Sequence, residues 1–137
     1  MKSIARSARH KACGFSLVEL TIAVVVVVIL AIISLPSYAE YVRRGARAEA
    51  QAFLIEVAWH QQRQLVERRG YAATIADLGL ALPKSLSGKY TVSMSVPAVD
   101  PPAFAISAAP RGPQAAEGCG TLTVTSDGQR RPARCWQ

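Results

Sequence analysis

The sequence predicts an α+β fold in which a long N-terminal α-helical spine carries a small antiparallel β-sheet packed on its C-terminal half. Three observations lead there. An almost unbroken apolar block runs from Leu20 to Leu35. Beyond Pro36, apolar residues recur at helical spacing as far as Leu65. From Tyr90 onward the pattern changes to alternation, the signature of half-buried strands. With 137 residues, one folded domain is expected. A domain of about 100 residues builds a modest core and is often stapled.

Phe15 to Leu35 comprises 21 residues. As a helix this stretch spans about 32 Å, enough to cross a hydrocarbon layer of about 30 Å. From Ala23 to Ile33 it holds no polar residue. Val and Ile are poor helix formers in water, but an unmet backbone hydrogen bond in lipid costs more, so the helix prevails. Basic residues flank the block on both sides, Lys2 to Lys11 before it and Arg43, Arg44 and Arg47 after it. Charge alone therefore sets the orientation weakly. The cysteines break the tie. Cys119 and Cys135 lie late in a Gly- and Pro-containing stretch and read as a disulfide, which belongs on the oxidising side of the membrane. The N-terminus is then cytoplasmic.

A cleaved secretory signal is the plainer reading, and Ser37-Tyr38-Ala39 offers a small-x-small site for it. The apolar block is longer than an ordinary signal core of about 7–15 residues. It also holds Glu19 near its start, and a carboxylate at that depth costs a few kcal/mol unless it has a role. A single-pass anchor that keeps its leader leaves Glu19 unexplained.

Gly14-Phe15-Ser16-Leu17-Val18-Glu19-Leu20-Thr21 follows a short basic leader and enters the apolar block, with Pro36, Tyr38 and Tyr41 after it. This arrangement resembles the class III signal of type IV prepilins and related pseudopilins. The resemblance implies a leader over residues 1–14, a transmembrane and filament-core helix over 15–36, and a globular pilin domain over 37–137. It implies cleavage between Gly14 and Phe15 by the prepilin peptidase/N-methyltransferase, which also methylates the new amine of Phe15. Glu19 is then the assembly residue. Its carboxylate meets the Phe15 ammonium of a staggered neighbour, and a mismatch leaves a buried charge unpaired. Many members carry a Gly midway along the block, where their helix melts in the filament; this chain has Val28. The implied location is the inner membrane, single pass, with a periplasmic C-terminal domain, and then the extracellular pilus. The implied partners are other pilin subunits, major and minor, the peptidase, the inner-membrane assembly machinery, and lipid before assembly.

After Pro36 the spine becomes amphipathic. Val42, Ala46, Ala50, Phe53, Val57 and Leu65 share one face, with Gln61 as a polar step. The helix is expected to end at Arg69, with Gly70 as its stop and a bend near Pro36. Arg43, Arg44 and Arg47 read as a solvated face near lipid headgroups, or alternatively as a nucleic-acid patch. Residues 71–82 read as turns and loop, with one helical turn around Ala76 to Leu80. Strands are expected at Tyr90–Val96, around Phe104, Ile106 and Ala108, and at Thr121–Thr125. Ser126-Asp127-Gly128-Gln129 signals a hairpin turn, and Pro132 confines the strand after it to a short edge.

A Cys119–Cys135 bond closes a loop of about 15 residues, worth about 3 kcal/mol in the chain-entropy model. General secretion pseudopilins typically lack such a loop. Tyr71, Leu78-Gly79, Cys119-Gly120-Thr121-Leu122 and Cys135-Trp136 together are similar to the PilE-type minor pilins. Trp136 reads as an aromatic packed on the disulfide, or alternatively as a binding residue.

The net charge is +7, with 16 basic and 9 acidic residues. Lys2, Arg6, Arg9 and Lys11 lie in the leader; subtracting these four from 16 leaves 12 against 9, or +3. The charge is thus weak support for a nucleic-acid partner. His10 and His60 are isolated, no acidic cluster or Gly-rich phosphate loop is present, and neither late cysteine has a metal-spaced companion. No enzyme activity, cofactor or metal is expected. The reading is a type IV pilus subunit, a minor pilin acting in assembly and hence in twitching motility, adhesion or DNA uptake. The alternatives are a type II secretion pseudopilin and a pilin that binds DNA through Arg130, Arg131 and Arg134. The same arginines also serve to block edge-strand aggregation.

Overall fold

The computed structural model describes residues 15–136. The leader, with Gly14, Cys13 and His10, lies outside the described residues. Chain contacts divide the molecule into residues 1–37 and residues 38–137. One helix, α1 (Leu17–Arg68), has residues in both.

In the first unit α1 is apolar on every side. Its apolar window has a mean hydropathy of 3.0, and every residue from Phe15 to Ser37 is exposed. Two of its hydroxyls are turned back onto the helix. Thr21 Oγ1 donates to the Val18 carbonyl and Ser34 Oγ to the Leu30 carbonyl, each at 2.8 Å. That is what a segment surrounded by hydrocarbon needs, because no water is there to satisfy them.

The second unit has its own core. Four strands, β1 (Tyr90–Ser95), β2 (Ala105–Pro110), β3 (Leu122–Thr125) and β4 (Arg130–Arg131), form one antiparallel sheet in chain order. Met94 pairs with Ile106, Ile106 with Val124, and Val124 with Arg130. The period of two puts Ile106, Ala108, Leu122 and Val124 on the face that meets α1. Ala46, Ala50, Phe53, Leu54 and Val57 fill the space from the helix side. The fold is α+β, as the two periodicities predict.

Several details differ from expectation. The helix ends at Arg68, and the left-handed residue that closes it is Arg69 (φ 56°) rather than Gly70. The Arg69 N–H still bonds the Leu65 carbonyl at 2.8 Å. Gln61 is wholly buried, and Leu54 joins the core while Val42 stays exposed. Short elements without a strong periodic signal emerge at α2 (Lys84–Ser87) and in a 3₁₀ turn over Gly112–Glu117. Phe104 is buried just before β2 rather than within it.

Candidate functional site

Cys119 and Cys135 are bonded to each other, with Cα atoms 6.1 Å apart. The loop they close contains β3, the turn after it, and β4. Two side chains from α1 hold this loop at its base. Arg47 Nη1 donates to Glu117 Oε1 at 2.5 Å and approaches Cys119 Sγ at 3.0 Å. Gln51 Nε2 donates to the Cys135 carbonyl at 2.5 Å. Arg47 therefore does not belong to a solvated basic face: its side chain is 23% exposed and that of Glu117 is 6% exposed. Arg44 does face solvent, paired with Glu40 at 2.9 Å.

Gln114 anchors the preceding segment, donating to the Arg43 carbonyl at 2.9 Å and to the Tyr90 hydroxyl at 3.0 Å. Burial pushes the Tyr90 phenol above its ordinary pKa; the Gln114 bond lowers it, Glu117 raises it and Arg47 lowers it. At the far end of the domain, Gln61 acts as a backbone substitute. Its amide accepts from the Ala72 N–H and donates to the Ala72 carbonyl, both at 2.8 Å. None of these partners is close in sequence, and a Gln within an amphipathic pattern carries no sign of which backbone group it will satisfy.

The three arginines of the loop are all exposed, but they do not form one cluster. Arg130 pairs with buried Val124 across the ladder and lines a concavity of about 210 Å³ with Trp59, Phe104 and Gly128. Arg131 pairs with Thr123 and lies in the groove on the other side, where its guanidinium donates to Gln129 Oε1 at 2.9 Å. Arg134 reaches the Gly118 carbonyl at 3.2 Å. Trp136 links two of them: its indole N–H donates to the Arg131 carbonyl at 3.0 Å, and the Arg130 guanidinium lies 5.7 Å above its ring. The turn before them is closed by Gly128 (φ 80°) and by Asp127. The Thr125 hydroxyl and then the Gln129 N–H hold that carboxyl below its usual pKa.

At the opposite end of the sequence, Phe15 is exposed and Glu19 stands in the first turn of α1. A carboxylate there suits the positive end of the helix dipole.

A long N-terminal helix, an exposed apolar half and a four-stranded sheet closed by a C-terminal disulfide define a type IV pilin. A solved structure, the high-resolution structure of a type IV pilin from Shewanella oneidensis, is 30% identical to this chain, with a TM-score of 0.57. The match covers 69% of this chain and 98% of that one. A family model described as type IV minor pilin ComP, DNA uptake sequence receptor, matches residues 36–123, and one for the prokaryotic N-terminal methylation motif matches residues 9–35. The chain belongs to this family of type IV minor pilins. No curated protein matches it.

Proposed function

We propose that this minor pilin binds duplex DNA at the surface of the pilus, through Arg130, Arg131 and Arg134. The observation that carries the reading is the match to a family described as a DNA uptake sequence receptor. That match ends at residue 123, before the arginines, so their assignment stands on their own chemistry. Each is exposed and has one protein acceptor or none among the described residues, which leaves guanidinium donors for phosphate oxygens.

Replacing all three arginines by Ala should weaken duplex binding uniformly across sequences. It should also reduce the slope of log K against log salt by up to about 3, since each phosphate contact contributes about 0.9. Unchanged salt dependence in the triple variant would exclude these arginines. Absence of any salt-sensitive binding by the wild-type chain would exclude the DNA reading altogether.

The same proposal includes the route to the surface. Residues 1–14 are a cytoplasmic leader cut after Gly14, and residues 15–36 hold the chain in the inner membrane with residues 37–137 in the periplasm. Phe15 is methylated, and Glu19 recruits the subunit into the filament. Mass spectrometry of sheared pili should find a chain beginning at N-methyl-Phe15. Normal cleavage and wild-type incorporation of a Glu19→Ala chain would remove Glu19 from the scheme.

A further inference from the structure

Beyond Ser37, two opposite faces of α1 have different surroundings. One, with Ala46, Ala50, Phe53, Leu54 and Val57, is buried against the sheet. The other carries Tyr41, Gly45, Ala48, Ala52, Ile55 and Trp59, and continues to Gln62 and Val66; it is exposed except at half-buried Ile55, and Gln62 donates to the Ser126 carbonyl at 3.3 Å. The intervals alternate between four and three residues throughout, which is heptad spacing. At helical periodicity these positions fall in a sector about 100° wide, centred opposite the buried face. Tyr41, Trp59 and Val66 are 74%, 71% and 83% exposed.

Gly45 makes this face more than a chance apolar stripe. A glycine inside a helix costs about 0.5–1 kcal/mol relative to Ala. A Cβ at Gly45 meets nothing within 4 Å, and its φ is not positive. Neither packing within the chain nor backbone conformation calls for glycine there. A second helix lying across Gly45, Ala48 and Ala52 does call for it, because small residues let two backbones approach closely.

Charge supplies an independent indication of the occupant. With Gly45, Ala52, Trp59 and Val66 at a positions and Tyr41, Ala48, Ile55 and Gln62 at d, Arg44 falls at g and Glu49 at e. In a parallel, in-register pair, a g residue meets the e residue five positions further along the other helix. Arg44 of each copy then faces Glu49 of the other. Among the described residues, Arg44 is held only by an exposed pair with Glu40, and Glu49 only by the Ser85 hydroxyl. Both are available for exchange. Two copies inserted through one apolar segment are parallel and meet at equal depth, so the bilayer supplies the orientation and register that the charges require.

We propose that two membrane-held copies of this chain pair in parallel and in register through a heptad seam from Tyr41 to Val66, before either enters a filament. The pairing rests on the membrane-anchored reading given above. The test is oxidative cross-linking of the full chain in membranes of cells with no other pilin, in a Cys13→Ser background that leaves Cys119–Cys135 intact. Ala48→Cys and Ala52→Cys should each give a covalent dimer severalfold above an exposed control off the seam, Ser87→Cys. A like-to-like bond at these positions requires equal register. Arg44→Glu should reduce the dimer severalfold, and adding Glu49→Arg should restore it. Gly45→Leu should abolish it while the protease resistance of residues 38–137 is unchanged, because the site is open in the lone chain. Cross-linking no higher than the control in membrane-bound protein would overturn the pairing alone. So would cross-linking indifferent to Gly45→Leu and to the charge reversals. Recovery of the chain in the soluble fraction would overturn the anchoring and the pairing with it.

Discussion

Residues 15–37 and residues 38–137 use the same helix under opposite rules. In the first, every side chain is exposed and most are apolar, with nothing among the described residues to bury them. In the second, one face of α1 disappears beneath a sheet and the core closes on itself. The difference teaches that helix formation and helix burial are separate matters here. The Val and Ile run is helical because lipid or neighbouring subunits exclude water from its backbone. The stretch from Ala46 to Gln61 is held by tertiary packing.

Substitutions should separate the two regions. Phe53 is 4% exposed in the centre of the second unit, so Phe53→Ala should cost about 3–5 kcal/mol, read as denaturant unfolding of the purified chain. A change of similar size in the first region, Val27→Asp, should leave that unfolding untouched. It should instead impair insertion by about 2.5–3.5 kcal/mol, measured as membrane-fraction recovery. Equal effects of Val27→Asp on domain unfolding would collapse the distinction.

Loss of the disulfide in a Cys119→Ser, Cys135→Ser chain should cost about 3 kcal/mol. It should also release β4 and its arginines, seen as faster amide exchange there than in β1. Gln61→Leu keeps the volume but orphans the Ala72 N–H and carbonyl, for a loss of about 1–3 kcal/mol. The smallest expected effect is that of Asp127. Its folded pKa lies below the unfolded value, so its contribution is present above the unfolded pKa and is lost as pH falls through the folded one. Thr125→Val should flatten that acid limb of the stability curve; an unchanged limb would assign it to other carboxylates.

Much of this was legible in the sequence because it is written in local periodicity. The apolar run, the alternation of β1 and β3, the Asp127-Gly128 turn and the brevity of β4 before Pro132 all depend on neighbours within a few residues. The site was legible only as residue types. Arg130 and Arg131 are adjacent in sequence, yet alternation along a strand sends them to different sides of the sheet. Arg47 read as a solvated cation, and Glu117, 70 positions away, turned it inward.

By itself the sequence determined the helix, the membrane-length apolar block, the strand pattern and the cysteine pair, since each follows from spacing along one chain. Only the tertiary structure decided which polar groups would be satisfied far from home, at Arg47, Gln51, Gln61 and Gln114. Only it showed that the described residues leave most of a second face of α1 uncovered. The physical reason is the same in each case. A buried hydrogen bond or a bare helix face depends on what the fold brings across from a distant part of the chain, and no local pattern encodes that distance.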